Sequence, residues 1–238
     1  MFKLISVIIP VYNHAKTLIK SLDSLRCQTY KNLEVIIVND GSADNFGEEI
    51  KKILADEKFL RLNIKIINQT NQGAPVARNC GFKEANGEYV IFWDADTIAQ
   101  PEMLAKMVEV LEKNPENSYV YCDYKFGWKK MPSQEFDAGA LKKQNYIDTT
   151  SLIRMKDFCG FDPALKRFQD WDLWLTMFEK NKIGIYLSEC LYSKIVRGRK
   201  GMSGWLPKIF FKLPFKIKDV KEYEVAREIV LKKHNIWT

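Results

Sequence analysis

Histidine and cysteine are scarce in this 238-residue chain, which has two His and five Cys. The cysteines (Cys27, Cys80, Cys122, Cys159, Cys190) are odd in number, scattered and without a C-x-x-C pair. That argues against a disulfide framework or a thiolate metal site, and the expectation is buried apolar thiols. His14 stands at a helix start and His234 in the last turn of a terminal helix, where a partly cationic ring is favourable. Neither carries a functional expectation. No apolar run approaches the ~20 residues that a transmembrane helix needs. The opening "MFKLISVIIPVYN" sets a lysine before an apolar run, as a signal peptide does, but has no small-residue cleavage site. It reads as the first strand of a cytoplasmic protein. Internal repeats, low-complexity tracts and clear linkers are also lacking.

What is present is the composition of an ordinary globular protein, 46% apolar and 28% charged, which excludes disordered and fibrous classes. The length suits one domain with a substantial core and at most an appendage. The net charge of +7 is unevenly placed: from Lys194 onward there are twelve Lys or Arg against four Asp or Glu. Such a tail fits an anionic partner or a solvated basic helix face.

Strand-like runs at Leu4–Ile9, Leu33–Val38, Leu62–Ile67 and Tyr89–Trp93 alternate with helix-like stretches at 15–27, 46–58, 74–86 and 101–113. Strand and helix alternating this way predict a mainly parallel, Rossmann-like α/β sheet with crossover helices. Near-continuous apolar strands fit a sheet covered on both faces. Beyond Tyr119–Cys122 the pattern is irregular. A hairpin is expected around Gly127, an extended piece at "IDTTSLIRM", a helix from about Asp170, strands at 183–187 and 190–197, and a helical tail from Trp205. The reading is one domain over 1–204, with a half at 1–122 and a smaller antiparallel half at 123–204, followed by a basic, aromatic tail at 205–238.

The strand "YVIFW" ends on Asp94-Ala95-Asp96. Residues i and i+2 of an extended chain point to the same side. Two carboxylates there repel each other, and a hard cation, Mg2+ or Mn2+, resolves the repulsion. In open parallel sheets, ligands bind outside the carboxyl ends of the strands, where this pair sits. The other strand ends converge on the same crevice. Pro10, Val11 and Tyr12 would offer backbone groups and an aromatic face to a base. Asp40, in "NDGS", reads either as an Asx-turn residue or as an acceptor for the ring N–H of uracil or thymine, a preference that is not absolute because guanine also has a ring N–H. Gly73 and Pro75 suit a helix start, and Arg78, one turn in, could meet a base or phosphate or remain an exposed helical arginine.

"SVIIPVYN", "EVIIVNDGS", "GAPVARNCG", "YVIFWDAD" and "GFDPALKRFQDWDLWL" occur in the order and approximate spacing of the inverting glycosyltransferase family 2, which the chain resembles over about residues 4–200. The resemblance implies the GT-A fold, a nucleotide-diphosphate sugar donor, most often UDP-linked, and a divalent metal on the D-x-D. It implies transfer of a hexosyl or N-acetylhexosaminyl group to a glycan or glycolipid, such as a lipid-linked cell-surface polysaccharide. Pro10, Val11, Tyr12, Asp40 and Arg78 match the family's nucleotide-contacting positions. Asp94 matches the position near ribose and metal, Asp96 the principal metal ligand, and Asp170 the catalytic base. An inverting transfer needs such a carboxylate to take the acceptor hydroxyl's proton. Asp170 and Asp172 cannot share a helix face, so Asp172 is expected to cap or stay solvated.

Two departures stand out. Many relatives have Glu-Asp where this chain has Gln169-Asp170, which alters the acceptor side, where Gln169 and Trp171 are placed. Some relatives carry a third metal ligand, a histidine, in the loop corresponding to "KIVRGRKGMSGW"; here Lys194, Arg197, Arg199 and Lys200 could meet the diphosphate instead, or form a basic surface loop. The tail "WLPKIFFKLPFKIKDVKEY" interleaves aromatics with lysines. It fits an anionic membrane surface at the cytoplasmic face, or a cover in which Trp205, Phe210, Phe211 and Phe215 close the domain's own core. Other classes stay open: a nucleotidyltransferase, which lacks here its glycine-rich, arginine-containing loop after strand one, and an inactive nucleotide-sugar-binding module. A nucleic-acid binder, the reading from charge alone, leaves the three aspartates without a role and is not expected.

Overall fold

The computed structural model describes residues 3–196 and 218–236. Four parallel strands open the chain: β1 (Ile5–Val11), β2 (Leu33–Asp40), β3 (Asn63–Gln69) and β4 (Tyr89–Phe92). Between and after them run α1 (Ala15–Arg26), α2 (Phe46–Ala55), α3 (Ala74–Lys83), the short β5 (Thr97–Ala99) and α4 (Met103–Lys113). The second half adds β6 (Tyr119–Phe126), β7 (Lys129–Met131), α5 (Ala138–Lys143), β8 (Leu152–Arg154), α6 (Gln169–Glu179), β9 (Gly184–Lys194) and α7 (Lys218–Lys233). Among the described residues these strands form one nine-stranded sheet in the order β3-β2-β1-β4-β8-β6-β9-β5, with β7 hairpinned onto β6. Pairing is parallel within β3-β2-β1-β4 and in β6-β9, and antiparallel where β8, β7 and β5 join.

Strand periodicity explains the two cores. Ile5, Val7, Ile9 and Val11 face one side with Val35, Ile37, Ile91 and Trp93. Ile8 faces the other with Ile36, Val38, Val90 and Phe92. α1, α2 and α4 cover the first face; α3, α5, α6 and α7 cover the second. Leu18, Leu22 and Leu25 line the inner side of α1 and are fully buried, each worth about 1.5–3 kcal/mol. α3 packs so close to β1 that a Cβ on Gly81 would lie 2.5 Å from Ile8 Cγ2. That approach sets where Arg78, one turn earlier, sits.

Three expectations are corrected. The two strands placed at 183–187 and 190–197 are one strand, β9, whose register against β6 slips between Cys122 and Tyr124, so that Leu187 pairs with Cys122 and Cys190 with Asp123. "IDTTSLIRM" is extended only over Leu152–Arg154. Of the five cysteines only Cys122 is buried, and Cys27 is exposed. The hairpin turns at Gly127 as expected, with φ +60, and leaves the neighbouring Trp128 94% exposed. The described part of the tail, α7, lies on the domain: Val230 and Leu231 join the second core, and Tyr223 meets the ring of Phe168 edge-on at 4.9 Å. Trp205, Phe210, Phe211 and Phe215 lie outside the described residues.

Candidate active site

The carboxyl ends of β1, β2 and β4 lie side by side, because β1 pairs parallel with both neighbours. Loops after β1 and β2 are laced together: Ser42 Oγ accepts the Asn13 N–H at 3.1 Å, and Asn13 Oδ1 accepts the Ala43 N–H at 2.8 Å. Tyr12 is exposed on this rim, whereas the Val11 side chain is core, so Val11 can offer only backbone; its carbonyl accepts from Ser42 Oγ at 3.4 Å. Pro10 is half-buried at the end of β1. Asp40 is buried and its carboxylate takes three donors, the Gln72 and Gly73 N–H groups at 2.8 Å each and Gln69 Nε2 at 2.7 Å. Its first role is to tie the loop before α3 to the end of β2, which is not the Asx-turn expected: the Ser42 N–H goes to Asn39 Oδ1 at 3.0 Å instead. An ionised carboxylate has about four acceptor sites, which leaves one for a base.

β4 stops at Phe92, and Asp94 meets two cations. Arg78 Nη2 donates to its Oδ1 at 2.9 Å and Lys194 Nζ to its Oδ2 at 2.8 Å. Burial alone would raise the Asp94 carboxyl, but Lys194 and then Arg78 outweigh it and hold it well below the usual carboxylate range. Lys194 reaches this place because β9 pairs antiparallel with β5 directly after the D-x-D, Thr97 opposite Lys194, with the Ile195 N–H on Asp96 O at 3.0 Å. Its side chain, 11% exposed, also donates to Asp148 Oδ2 at 2.7 Å. Asp96 has the opposite environment. Burial and the neighbouring Asp94 charge push it up to about 6, and no ion pair satisfies it among the described residues.

Asp170 stands in the first turn of α6. The preceding Phe168 is in the left-handed region, φ 58, a conformation uncommon for a bulky residue and concentrated at functional sites. It turns the chain into α6. Asp170 Oδ2 accepts from Asn145 Nδ2 at 2.8 Å and Oδ1 from the Trp171 N–H at 2.9 Å. Burial, then the Asp148 charge, push it up to about 6, opposed by the Trp171 N–H, Lys194 and Arg78. Two residues on, about 200° round the helix, Asp172 points to α7. Its carboxylate, buried rather than capping or solvated as expected, meets His234 Nε2 at 2.9 Å and Lys233 Nζ at 2.7 Å.

A sequence model described as glycosyl transferase family 2 matches residues 6–168. The chain belongs to that family. An uncharacterized glycosyltransferase of Rickettsia prowazekii is 31% identical over 198 residues, covering 76% of this chain and 60% of that protein. One from Haemophilus influenzae is 28% identical over 224 residues, covering 88% of each. The chain spans about a quarter to three fifths of the length of the first rickettsial relatives it matches. Among solved structures, S. aureus TarS 1–349 in complex with UDP-GlcNAc superposes with a TM-score of 0.72 at 22% identity, covering 95% of this chain and 66% of that one. Mannosyltransferase PcManGT from Pyrobaculum calidifontis, in complex with GDP-Man and Mn2+, gives 0.68 at 18% identity, covering 99% and 74%. These likenesses establish the GT-A fold.

Within this family 2 chain the structure brings Arg78, Asp94, Asp96, Lys194 and Asp170 into one cluster, with both cations on Asp94 and within electrostatic reach of Asp170. It places Gln169 and Trp171 elsewhere than on an open acceptor side. Gln169 is buried, accepting from Arg78 Nη1 at 2.9 Å and donating to Leu165 O and Lys166 O. Trp171 is core, its indole N–H on Leu141 O at 2.6 Å. Arg197, Arg199 and Lys200 lie outside the described residues. Asp148 and Asn145 escaped the sequence reading. Their one local signal is a pair of Asx turns, Asn145 Oδ1 accepting the Ile147 N–H and Asp148 Oδ1 the Thr150 N–H. The donor set of Asp94 and Asp96 fits a hard divalent ion: both would offer oxygens, and Asp96 has no ion-pair partner among the described residues and lies beside a second carboxylate. No group of three or more His, Cys, Asp or Glu converges among the described residues, so such an ion would take further ligands from water and phosphate. No described helix is long and apolar enough to cross a membrane.

Proposed function

We propose that the chain transfers a sugar from a nucleotide-diphosphate donor, a UDP-sugar first, to a hydroxyl of a growing glycan, with inversion at the anomeric carbon. The observation that carries this reading is the placing of Asp170, held by Asn145 and the Trp171 N–H, within electrostatic reach of the Arg78 and Lys194 cations that sit on Asp94. Tyr12 and the loops after β1 and β2 receive the base, and Arg78 and Lys194 face the diphosphate. A divalent ion held by Asp96 and Asp94 would offset the charge growing on that leaving group. The acceptor oxygen attacks the anomeric carbon, its proton passes to Asp170, and the bond to the nucleoside diphosphate breaks. Asp170 suits this work because its proton affinity lies near neutral pH, so it is ionised before attack and still able to hold the proton afterwards. Neighbours bound to UDP-GlcNAc, UDP and GDP-Man support a nucleotide sugar as donor.

A lipid-linked acceptor at the inner face of the membrane is part of the same proposal. It is supported by the lysine- and aromatic-rich tail and by Trp128, exposed at a hairpin tip beside Lys125, Lys129 and Lys130. Calorimetry with UDP, with and without Mn2+, tests the donor site. Wild type binds UDP more tightly with Mn2+, and Asp96→Ala loses that dependence. Asp170→Asn binds like wild type yet transfers about 10²- to 10⁴-fold more slowly. Absence of binding to UDP, GDP and dTDP alike would overturn the donor assignment and leave an inactive module.

A further inference from the structure

The connection from α5 to β8 reaches both Asp170, through Asn145, and Lys194, through Asp148. Asn145 Nδ2 donates to Asp170 Oδ2 at 2.8 Å and to Ile147 O at 3.0 Å, while its Oδ1 accepts the Ile147 N–H at 3.1 Å. Because that oxygen is committed to an N–H, the amide can present only its NH2 to Asp170. Three residues on, Asp148 Oδ1 accepts the Thr150 N–H and the Tyr192 hydroxyl, each at 2.9 Å. Its Oδ2 accepts the Lys194 ammonium, which also bonds Asp94. Tyr192 stacks on Tyr124 with centroids 5.2 Å apart, and Lys194 lies over the Tyr124 ring at 5.5 Å. The ammonium is thus confined between two carboxylates and an aromatic face.

We propose that Asn145 and Asp148 are positioning residues of the transfer: Asn145 aims the Asp170 carboxylate, and Asp148 stations Lys194 beside Asp94 at the donor end. The proposal rests on Asp170 being the base. Its two members act on that base in opposite senses. A donor favours the ionised carboxylate, and a neighbouring negative charge opposes it. The charged or titratable groups facing Asp170 are Asp148 from the same connection, Lys194 from β9, Arg78 from α3 and Tyr124 from β6. Asp172, on the same helix, is turned to α7.

The opposition gives a test that a merely structural role would not reproduce. In the full chain carrying carboxyl-13C aspartate, the Asp170 resonance is assigned by its loss in Asp170→Asn and then titrated. The wild-type midpoint is expected at about 6, raised by burial and the Asp148 charge. Asp148→Asn moves the midpoint down by about one pH unit, because a repelling charge within reach is removed and Lys194 is left less balanced. Asn145→Leu moves it up by about half a unit or more, the donor being lost. If Asn145→Leu fails to fold, the near-isosteric Asn145→Asp takes its place and also moves the midpoint up. UDP affinity falls about tenfold in Asp148→Asn, the worth of one charge-assisted hydrogen bond, and stays within about twofold in Asn145→Leu. Midpoints that stay put, or both move the same way, overturn the role of the pair at the base. Unchanged UDP affinity in Asp148→Asn overturns the stationing of Lys194. Transfer that survives Asp170→Asn would instead remove the base assignment itself, whatever the titrations give.

Discussion

Replacing His234 with alanine should loosen α7 from the helix that carries Asp170, and should do so more at acid than at alkaline pH. Both ring nitrogens face carboxylates, Nε2 on Asp172 at 2.9 Å and Nδ1 on Glu179 at 2.8 Å. Only the imidazolium can donate from both. Burial alone would lower the proton affinity of the ring, but the bonds to Asp172 and then Glu179 outweigh it, so its pKa is raised from 6.5. The Asp172 side chain is 2% exposed and the Glu179 side chain 50% exposed. The first contact therefore dominates, at about 1.5–3 kcal/mol for a charge-assisted bond, while the second is screened and worth well under 1 kcal/mol. Lys233 still pairs with Asp172 in the variant, which places the total near the lower end, about 2 kcal/mol at pH 5.5. A group whose folded pKa lies above its unfolded value contributes fully below the unfolded pKa, and that contribution disappears as pH rises through the folded one. The window thus opens at about 6.5 and extends upward. Urea denaturation of wild type and His234→Ala, followed by tryptophan fluorescence at pH 5.5 and 9, reads both terms. The destabilisation should be smaller at pH 9 by about 1 kcal/mol or more. An equal or larger loss at pH 9 would refute the charged-histidine dock and leave only packing at Val230 and Leu231.

Gly81→Ala should cost about 1–3 kcal/mol and weaken nucleotide binding together, since its Cβ would sit 2.5 Å from Ile8 Cγ2 and α3 must retreat, taking Arg78 with it; thermal melts and UDP calorimetry on one preparation check both. The membrane part of the proposal predicts co-sedimentation with vesicles rich in anionic lipid but not with neutral ones, weakened by Trp128→Ala and by high salt. Equal binding to both vesicle types, or none, would remove it.

The parallel half of the fold was readable because β1, β2 and β4 are buried on both faces and appear as near-unbroken apolar runs, whereas β3, the edge strand, keeps its isoleucines only half-buried between exposed polar residues. All four were located to within a residue or two, ending in Val11, Asp40, Gln69 and Phe92. The D-x-D followed from the same logic, a charged pair directly after a core strand. The second half was less legible because its pairings are short and non-local. β8 has three residues, and the slip in β9 inserts extra residues opposite Asp123, which breaks the alternation that identifies a strand. Side-chain commitments were harder still. Gln169 and Asp170 are adjacent in sequence, yet one is tied to Arg78 and the other to Asn145.

Lys194 shows why the site itself was only half visible. As a basic residue near a glycine-bearing loop it could be suspected of meeting a diphosphate. What gives it chemical meaning is the β5–β9 register that sets it a hundred residues away against Asp94, and the carboxylate of Asp148 on its other side. Among the described residues Arg78 and Lys194 balance Asp94 and Asp148, and Asp96 and Asp170 are the carboxylates left over. Both are pushed up to about 6, Asp96 by burial and Asp94, Asp170 by burial and Asp148. The paired charges create the site's order, and the proposed reactivity rests on the two carboxylates that no cation pairs among the described residues, Asp96 for a divalent ion and Asp170 for the acceptor's proton.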